Sequence, residues 1–180
     1  MNKFLIVLVT TIALFFAYGI YEQMNQKSLK SKRVACQEKT TTFERIFKKD
    51  KIQEAKKLLK TQNIEIVSRI DYSKYMKSQL INLYNKEKAL LDLNSVLDKY
   101  MSEKQNLDKK LVIDLYIYEN DKEDKGKKSD KAKLYAGYLV FEFKLEKELL
   151  YKIQIDYMKI NAQDIKERMD CAIKSFISIN

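Results

Sequence analysis

The sequence contains no histidine, tryptophan or proline, and glycine occurs at only three of its 180 positions. Histidine is the side chain best suited to proton transfer near neutral pH and the commonest metal ligand. Its absence excludes Ser-His and Cys-His nucleophile pairs and the usual zinc sites. Three glycines are too few for a phosphate-binding loop of the P-loop or dinucleotide type. The composition therefore predicts a protein that is not an enzyme and that has no metal site or other cofactor.

An apolar run occupies residues 4–21, after a single lysine at position 3. Such a run is typical of a signal peptide, and residues 17–19 (Ala-Tyr-Gly) fit the small-x-small pattern of a cleavage site. The run is also just long enough for an uncleaved helix that spans a hydrocarbon core. We therefore predict a signal peptide or membrane anchor at 1–21, a basic linker at 22–36 and a single α+β periplasmic domain at 37–180.

The net charge of +10 is concentrated after this run, because residues 27–60 hold twelve basic and four acidic side chains. Basic residues next to a membrane-entering run favour contact with anionic headgroups. The candidate membrane-proximal residues are Lys27, Lys30, Lys32 and Arg33. Nucleic acid is the other standard partner for such a patch, and a solvated helix face is the alternative without a partner. By the positive-inside rule, the same residues would place the domain in the cytoplasm.

The two cysteines, Cys36 and Cys171, also bear on the compartment. In the helix predicted over residues 161–179, Cys171 lies about 120° from the apolar stripe, whereas a cysteine that only fills the core should lie on it. A structural disulfide between the two cysteines fits an oxidising compartment, and two unrelated free thiols are the alternative. We take the cysteine pair to outweigh the charge count. It predicts a periplasmic protein, soluble after cleavage or tethered to the inner membrane, with no nucleic-acid partner.

Hydrophobic periodicity divides the remaining chain into two halves. Residues 38–62 and 71–106 carry helical stripes, separated by a brief alternating pattern at 64–68. Period-two segments follow at 111–118, 138–145 and 151–157, with a tight turn at 146–148 and a last helical stripe at 161–179. The sequence thus predicts an α+β fold with an N-terminal signal or anchor helix and a helical N-terminal half. A three-stranded antiparallel meander and a C-terminal amphipathic helix complete it.

Tyr116, Tyr118 and Tyr138 lie on the strand faces opposite the aliphatic residues. Exposed aromatic residues of this kind are frequent in protein interfaces, so we predict an interaction surface there. The alternative is that a helix covers this face too. Charged residues on the same strands are expected to form cross-strand ion pairs rather than a catalytic carboxylate pair; they are Asp114, Glu142, Lys144, Lys152 and Asp156.

In size, N-terminal run and Lys-, Ile- and Tyr-rich composition, the chain resembles small periplasmic accessory proteins of campylobacter-type bacteria. These include scaffold or disc components around the polar flagellar motor. The apolar run, the basic segment and the tyrosines predict other envelope proteins and the inner-membrane surface as partners. The resemblance adds the flagellar motor as a candidate assembly and implies no site residue. We therefore expect a non-enzymatic exported interaction or structural protein of a bacterial envelope assembly. The alternatives are a periplasmic small-ligand or lipid-binding module and a periplasmic inhibitor or immunity protein.

Overall fold

A five-stranded sheet is the centre of the structure, a computed structural model that describes residues 9–16, 18, 31–126, 130 and 134–180. The strands are β1 Thr42–Ile46, β2 Ile64–Asp71, β3 Leu111–Glu119, β4 Gly137–Leu145 and β5 Glu148–Tyr157. Their order across the sheet is β1-β5-β4-β3-β2. The β2–β3 pair is parallel and the other three pairs are antiparallel. The sheet is therefore mixed, with a short strand at one edge and a longer one at the other.

The helices of the domain are short. They are α1 Ile52–Lys60, α2 Lys86–Leu97 and α3 Ile165–Ile177, with 3-10 helices at Ala35–Lys39 and Lys49–Lys51. The side chain of Asn85 caps α2, because its oxygen accepts a hydrogen bond from the backbone N–H of Lys88 at 2.9 Å. Residues 9–16 are also helical, with exposed side chains. Among the described residues, no helix combines the length and the apolar character needed to cross a bilayer.

The three α-helices pack on one face of the sheet and form the core with it. The burial of β3 follows its sequence pattern, because every second residue from Leu111 to Glu119 is buried and the residues between them are half-buried. Phe176 of α3 stacks on Phe143 of β4, with the ring centroids 4.1 Å apart. The result is two layers, one of helices and one of sheet.

The predicted fold class is wrong in its architecture. The sheet has five strands and mixed directions, and the three predicted strands form only its centre. Residues 42–46, predicted to be helical, form β1, because a ladder with β5 places Thr42 opposite Ile155. The helix predicted over 71–106 is confined to α2. A short apolar pattern does not distinguish a helix from a strand, and the partner strand that would distinguish them lies far away in the sequence.

Two carboxylates at the end of β3 explain why residues 72–84 are not helical. Glu119 accepts hydrogen bonds of 2.6–3.0 Å from Ser73 N, Ser78 Oγ, Gln79 N and Leu80 N. Asp121 accepts bonds of 2.6–3.2 Å from the backbone N–H groups of Lys74, Tyr75 and Met76. Burial raises the pKa of Glu119, but the hydrogen bonds outweigh it and the pKa is lowered. These donors therefore bond to ionised side chains instead of to helical carbonyls.

Candidate interaction surface

The face of the sheet opposite the helices carries no helix in the described part of the chain, and we call it the open face. Along β3 and β4 its half-buried side chains alternate with the buried ones. Its aromatic and aliphatic members are Phe43, Val67, Val112, Tyr116, Tyr118, Tyr138 and Val140. Val67 is 44% exposed although it is aliphatic. The covering helix considered from the sequence is therefore not found among the described residues.

The three tyrosines predicted as an interaction surface come together on the open face. Tyr118 and Tyr138 are opposite one another in the β3–β4 ladder, and their rings stack with centroids 4.7 Å apart. Tyr116 meets Tyr138 edge-on at 6.2 Å. Tyr135 precedes β4 and so falls outside the alternating pattern of the strand, but it adds a ring 6.5 Å from Tyr138. All four are half-buried, and we call them the tyrosine cluster.

Strand β2 supplies charged neighbours to this cluster. The hydroxyl of Tyr116 donates a hydrogen bond of 2.8 Å to Asp71 Oδ2. The guanidinium carbon of Arg69 lies 5.0 Å from the centre of the Tyr116 ring, within cation–π range. Burial and the bond to Asp71 raise the pKa of Tyr116, so its hydroxyl is a donor at neutral pH. Arg69 and Asp71 continue the alternating pattern of residues 64–68, so extending that pattern to residue 71 would have placed both on the open face.

Charged residues of the open face form ion pairs, two of them across neighbouring strands and one within β4. Lys144 Nζ lies 2.9 Å from Asp114 Oδ2 and 2.7 Å from Glu142 Oε2. Lys152 Nζ lies 2.7 Å from Glu142 Oε1. Burial would raise the pKa of Glu142, but its bonds to the two lysines lower it, whereas a general acid near pH 7 needs a raised value. In the described residues, no three metal-binding side chains come together.

Cys36 and Cys171 form a disulfide between residues 135 positions apart in the sequence, which confirms the predicted pairing. The bond joins the 3-10 helix before β1 to α3. Cys171 is only 2% exposed. The segment that enters the domain is therefore held covalently against the last helix.

A polar network reinforces the same junction. The Glu44 carboxylate of β1 accepts hydrogen bonds from Arg33 Nε at 2.9 Å and from Arg33 Nη2 at 2.7 Å. It also accepts bonds from Gln37 Nε2 at 3.1 Å and from the hydroxyls of Ser31 and Tyr151. Burial raises the pKa of Glu44, but the bonds from Arg33, Ser31 and Tyr151 outweigh it and the pKa is lowered. Residues 31–37 are thereby fixed to β1.

The predicted membrane-proximal residues have different surroundings. Lys27 and Lys30 lie outside the described residues. Lys32 is exposed. The Arg33 guanidinium binds Glu44 and also donates to Ser178 Oγ at 2.6 Å, so it holds the fold together.

A cavity of about 380 Å³ opens between the loop of residues 72–84 and the ends of β3 and β5. Its lining residues are mostly apolar: Met76, Gln79, Leu80, Glu119, Lys122, Ala136, Tyr157 and Ile160. Tyr157 is 1% exposed, and its hydroxyl has no hydrogen-bond partner in the described part of the chain. Burial raises the pKa of Tyr157, which keeps the hydroxyl protonated.

No protein-family model, curated protein or solved structure matches the chain significantly.

Proposed function

We propose that the chain is a non-enzymatic exported protein that acts by protein–protein contact in a bacterial envelope assembly, at or near the inner membrane. The observation that carries the proposal is the tyrosine cluster on a sheet face that no described helix covers. Tyrosine gives a large contact area at low entropic cost and is enriched where proteins meet. The resemblance to scaffold components makes the polar flagellar motor one candidate assembly.

The disulfide and the apolar run support the location. A bond between Cys36 and Cys171 persists in oxidising compartments and is rare in the cytosol. The run at residues 4–21 has the length of an export signal or an anchor. Both observations favour a domain on the outer side of the inner membrane.

The chemistry around the tyrosine cluster indicates what kind of surface it binds. The rings form an apolar centre, and Arg69 and Asp71 lie beside them with opposite charges. The Lys144–Glu142 pair continues the charged border along β4. Interfaces commonly have an apolar, aromatic core and a polar rim. A protein patch with an apolar centre and mixed charges at its border is therefore the expected partner.

Site-specific photo-crosslinking in cells tests the proposal. A photoreactive phenylalanine analogue replaces Tyr138 in the full chain, and in a matched control it replaces Leu91 of α2. Leu91 is 71% exposed but lies on the helical layer. We expect one discrete cross-linked protein from position 138 and none from position 91, and Arg69→Ala should reduce the yield. No product from position 138, or the same products from both positions, would contradict the proposal.

The cavity beside Tyr157 favours a second candidate, a module that binds a small apolar ligand. Its lining offers apolar contacts and one buried hydroxyl that no described residue bonds to, which suits a ligand with a hydrogen-bond acceptor. Medium-chain alcohols and ketones are suitable probes. A probe that raises the melting temperature of the wild type more than that of Tyr157→Phe supports binding there. An equal response of both proteins counts against it.

A further inference from the structure

The end of β1 and the residues that follow it place apolar and basic side chains close together on the surface. Ile46 and Phe47 are 38% and 39% exposed, although both are large and apolar. Arg45, Lys48 and Lys49 beside them are also exposed. The guanidinium carbon of Arg45 lies 4.9 Å from the centre of the Phe47 ring. We call these five residues the β1 corner.

The charge around the β1 corner is positive. Residues 45–60 hold seven basic and two acidic side chains. Lys51 is neutralised by Glu148, with Nζ and Oε2 2.6 Å apart. Lys48 and Lys49 form no ion pair within the described ranges, and Asp50 is the acidic residue next to them in the chain. The lysines of the corner are therefore available to an external anion.

A cleft of about 520 Å³ lies next to the corner. Arg33, Ile46, Lys49, Ser178, Ile179 and Asn180 line it. Apolar and cationic side chains thus share one concave surface, which matches the combination of acyl chain and phosphate in an anionic lipid.

The β1 corner also lies close to the point where the chain enters the domain, because the entering segment runs beside β1. Ser31 N donates to Thr42 O at 2.7 Å and Arg33 pairs with Glu44 at 2.7 Å, so residues 31–33 run along the outer edge of β1. The apolar run at 4–21 precedes this segment. The tyrosine cluster lies farther across the sheet, around β4 and β3, which are the third and fourth strands from this edge.

We propose that the β1 corner docks on the surface of an anionic bilayer. Ile46 and Phe47 enter the headgroup region, and Arg45, Lys48 and Lys49 contact lipid phosphates. The inference rests on the proposed location at the inner membrane. In this orientation the β1 edge faces the bilayer, and the tyrosine cluster remains clear of it for a protein partner.

Tryptophan fluorescence gives a direct test, because the chain has no tryptophan. Phe47→Trp in the full chain reports on the corner, and Leu91→Trp on the helical layer is the matched control. The proteins are mixed with vesicles of phosphatidylethanolamine and phosphatidylglycerol, with or without brominated phosphatidylcholine as quencher. We expect a blue shift and quenching for Phe47→Trp and neither for Leu91→Trp. Lys48→Gln with Lys49→Gln should weaken the quenching-derived affinity about 25-fold, at about fivefold per charge.

Sedimentation of the same samples separates this inference from the proposed function. If the chain sediments with the vesicles while Phe47→Trp is unquenched, the docking inference is overturned and membrane association stands. If the chain does not sediment with anionic vesicles at all, the docking inference also fails. Quenching that is equally strong with phosphatidylcholine alone would contradict the role of the lysines. The crosslinking result at position 138 tests the protein partner independently of these three vesicle results.

Discussion

Removal of the Cys36–Cys171 disulfide should lower the free energy of unfolding by about 5 kcal/mol. The two cysteines are 135 positions apart, and the chain-entropy relation for a loop of that size gives about 5 kcal/mol at 25 °C. The contacts of Glu44 with Arg33 and Gln37 hold the same segment without a covalent bond. The reduced protein should therefore keep its fold while it loses stability.

Urea unfolding of the oxidised and reduced full chain, followed by far-ultraviolet circular dichroism, measures this loss. With a slope of about 2 kcal/mol per molar urea, the midpoint should fall by about 2.5 M. The double variant Cys36→Ala/Cys171→Ala is the control, because reductant should not change its midpoint. Two reactive thiols in the protein purified without reductant would show that the disulfide is absent. A midpoint shift below about 0.5 M would show that it does not stabilise the fold by the expected amount.

Three further predictions concern single side chains. Glu44→Gln should reduce the loss of stability in acid. The pKa of Glu44 is lower in the folded than in the unfolded state, so the Glu44 carboxylate stabilises the fold above the unfolded-state pKa. This stabilisation disappears as the pH falls through the folded-state pKa. Melting temperatures of variant and wild type between about pH 3 and pH 7 check this, and parallel curves would contradict it. Gly137→Ala should destabilise the protein by about 3 kcal/mol or more, because the new Cβ would lie 2.1 Å from Tyr118 O and 2.3 Å from Tyr157 Oη. An unchanged thermal melt would show that this crowding is absent. Glu119→Gln should cost about 2 kcal/mol and speed amide exchange in residues 73–80, since the four donors lose an ionised acceptor. Exchange that rises equally throughout the sheet would argue against a local role.

The sequence predicts the structure best in strands where buried and exposed positions alternate regularly. Leu111, Ile113, Leu115 and Ile117 recur at every second position because one face of β3 meets helices, whereas the other face meets none in the described part of the chain. The same alternation indicated three of the four clustered tyrosines, and two cysteines allow only one pairing. β1 was missed because five residues cannot show a clear period and its partner β5 begins about 100 residues later. Residues 72–84 were missed because Glu119 and Asp121 hold them from some 40 positions away.

The disulfide also determines how the domain would respond to mechanical tension. All five strands lie between Cys36 and Cys171, within one covalently closed loop. The segments outside that loop leave it side by side, since Arg33 reaches Ser178 at 2.6 Å. Tension between residue 31 and the C-terminus is therefore carried across the sulfur–sulfur bond and bypasses the sheet. Under tension the oxidised domain should therefore not extend. After reduction, the same tension would act on the sheet and could separate its strands one after another.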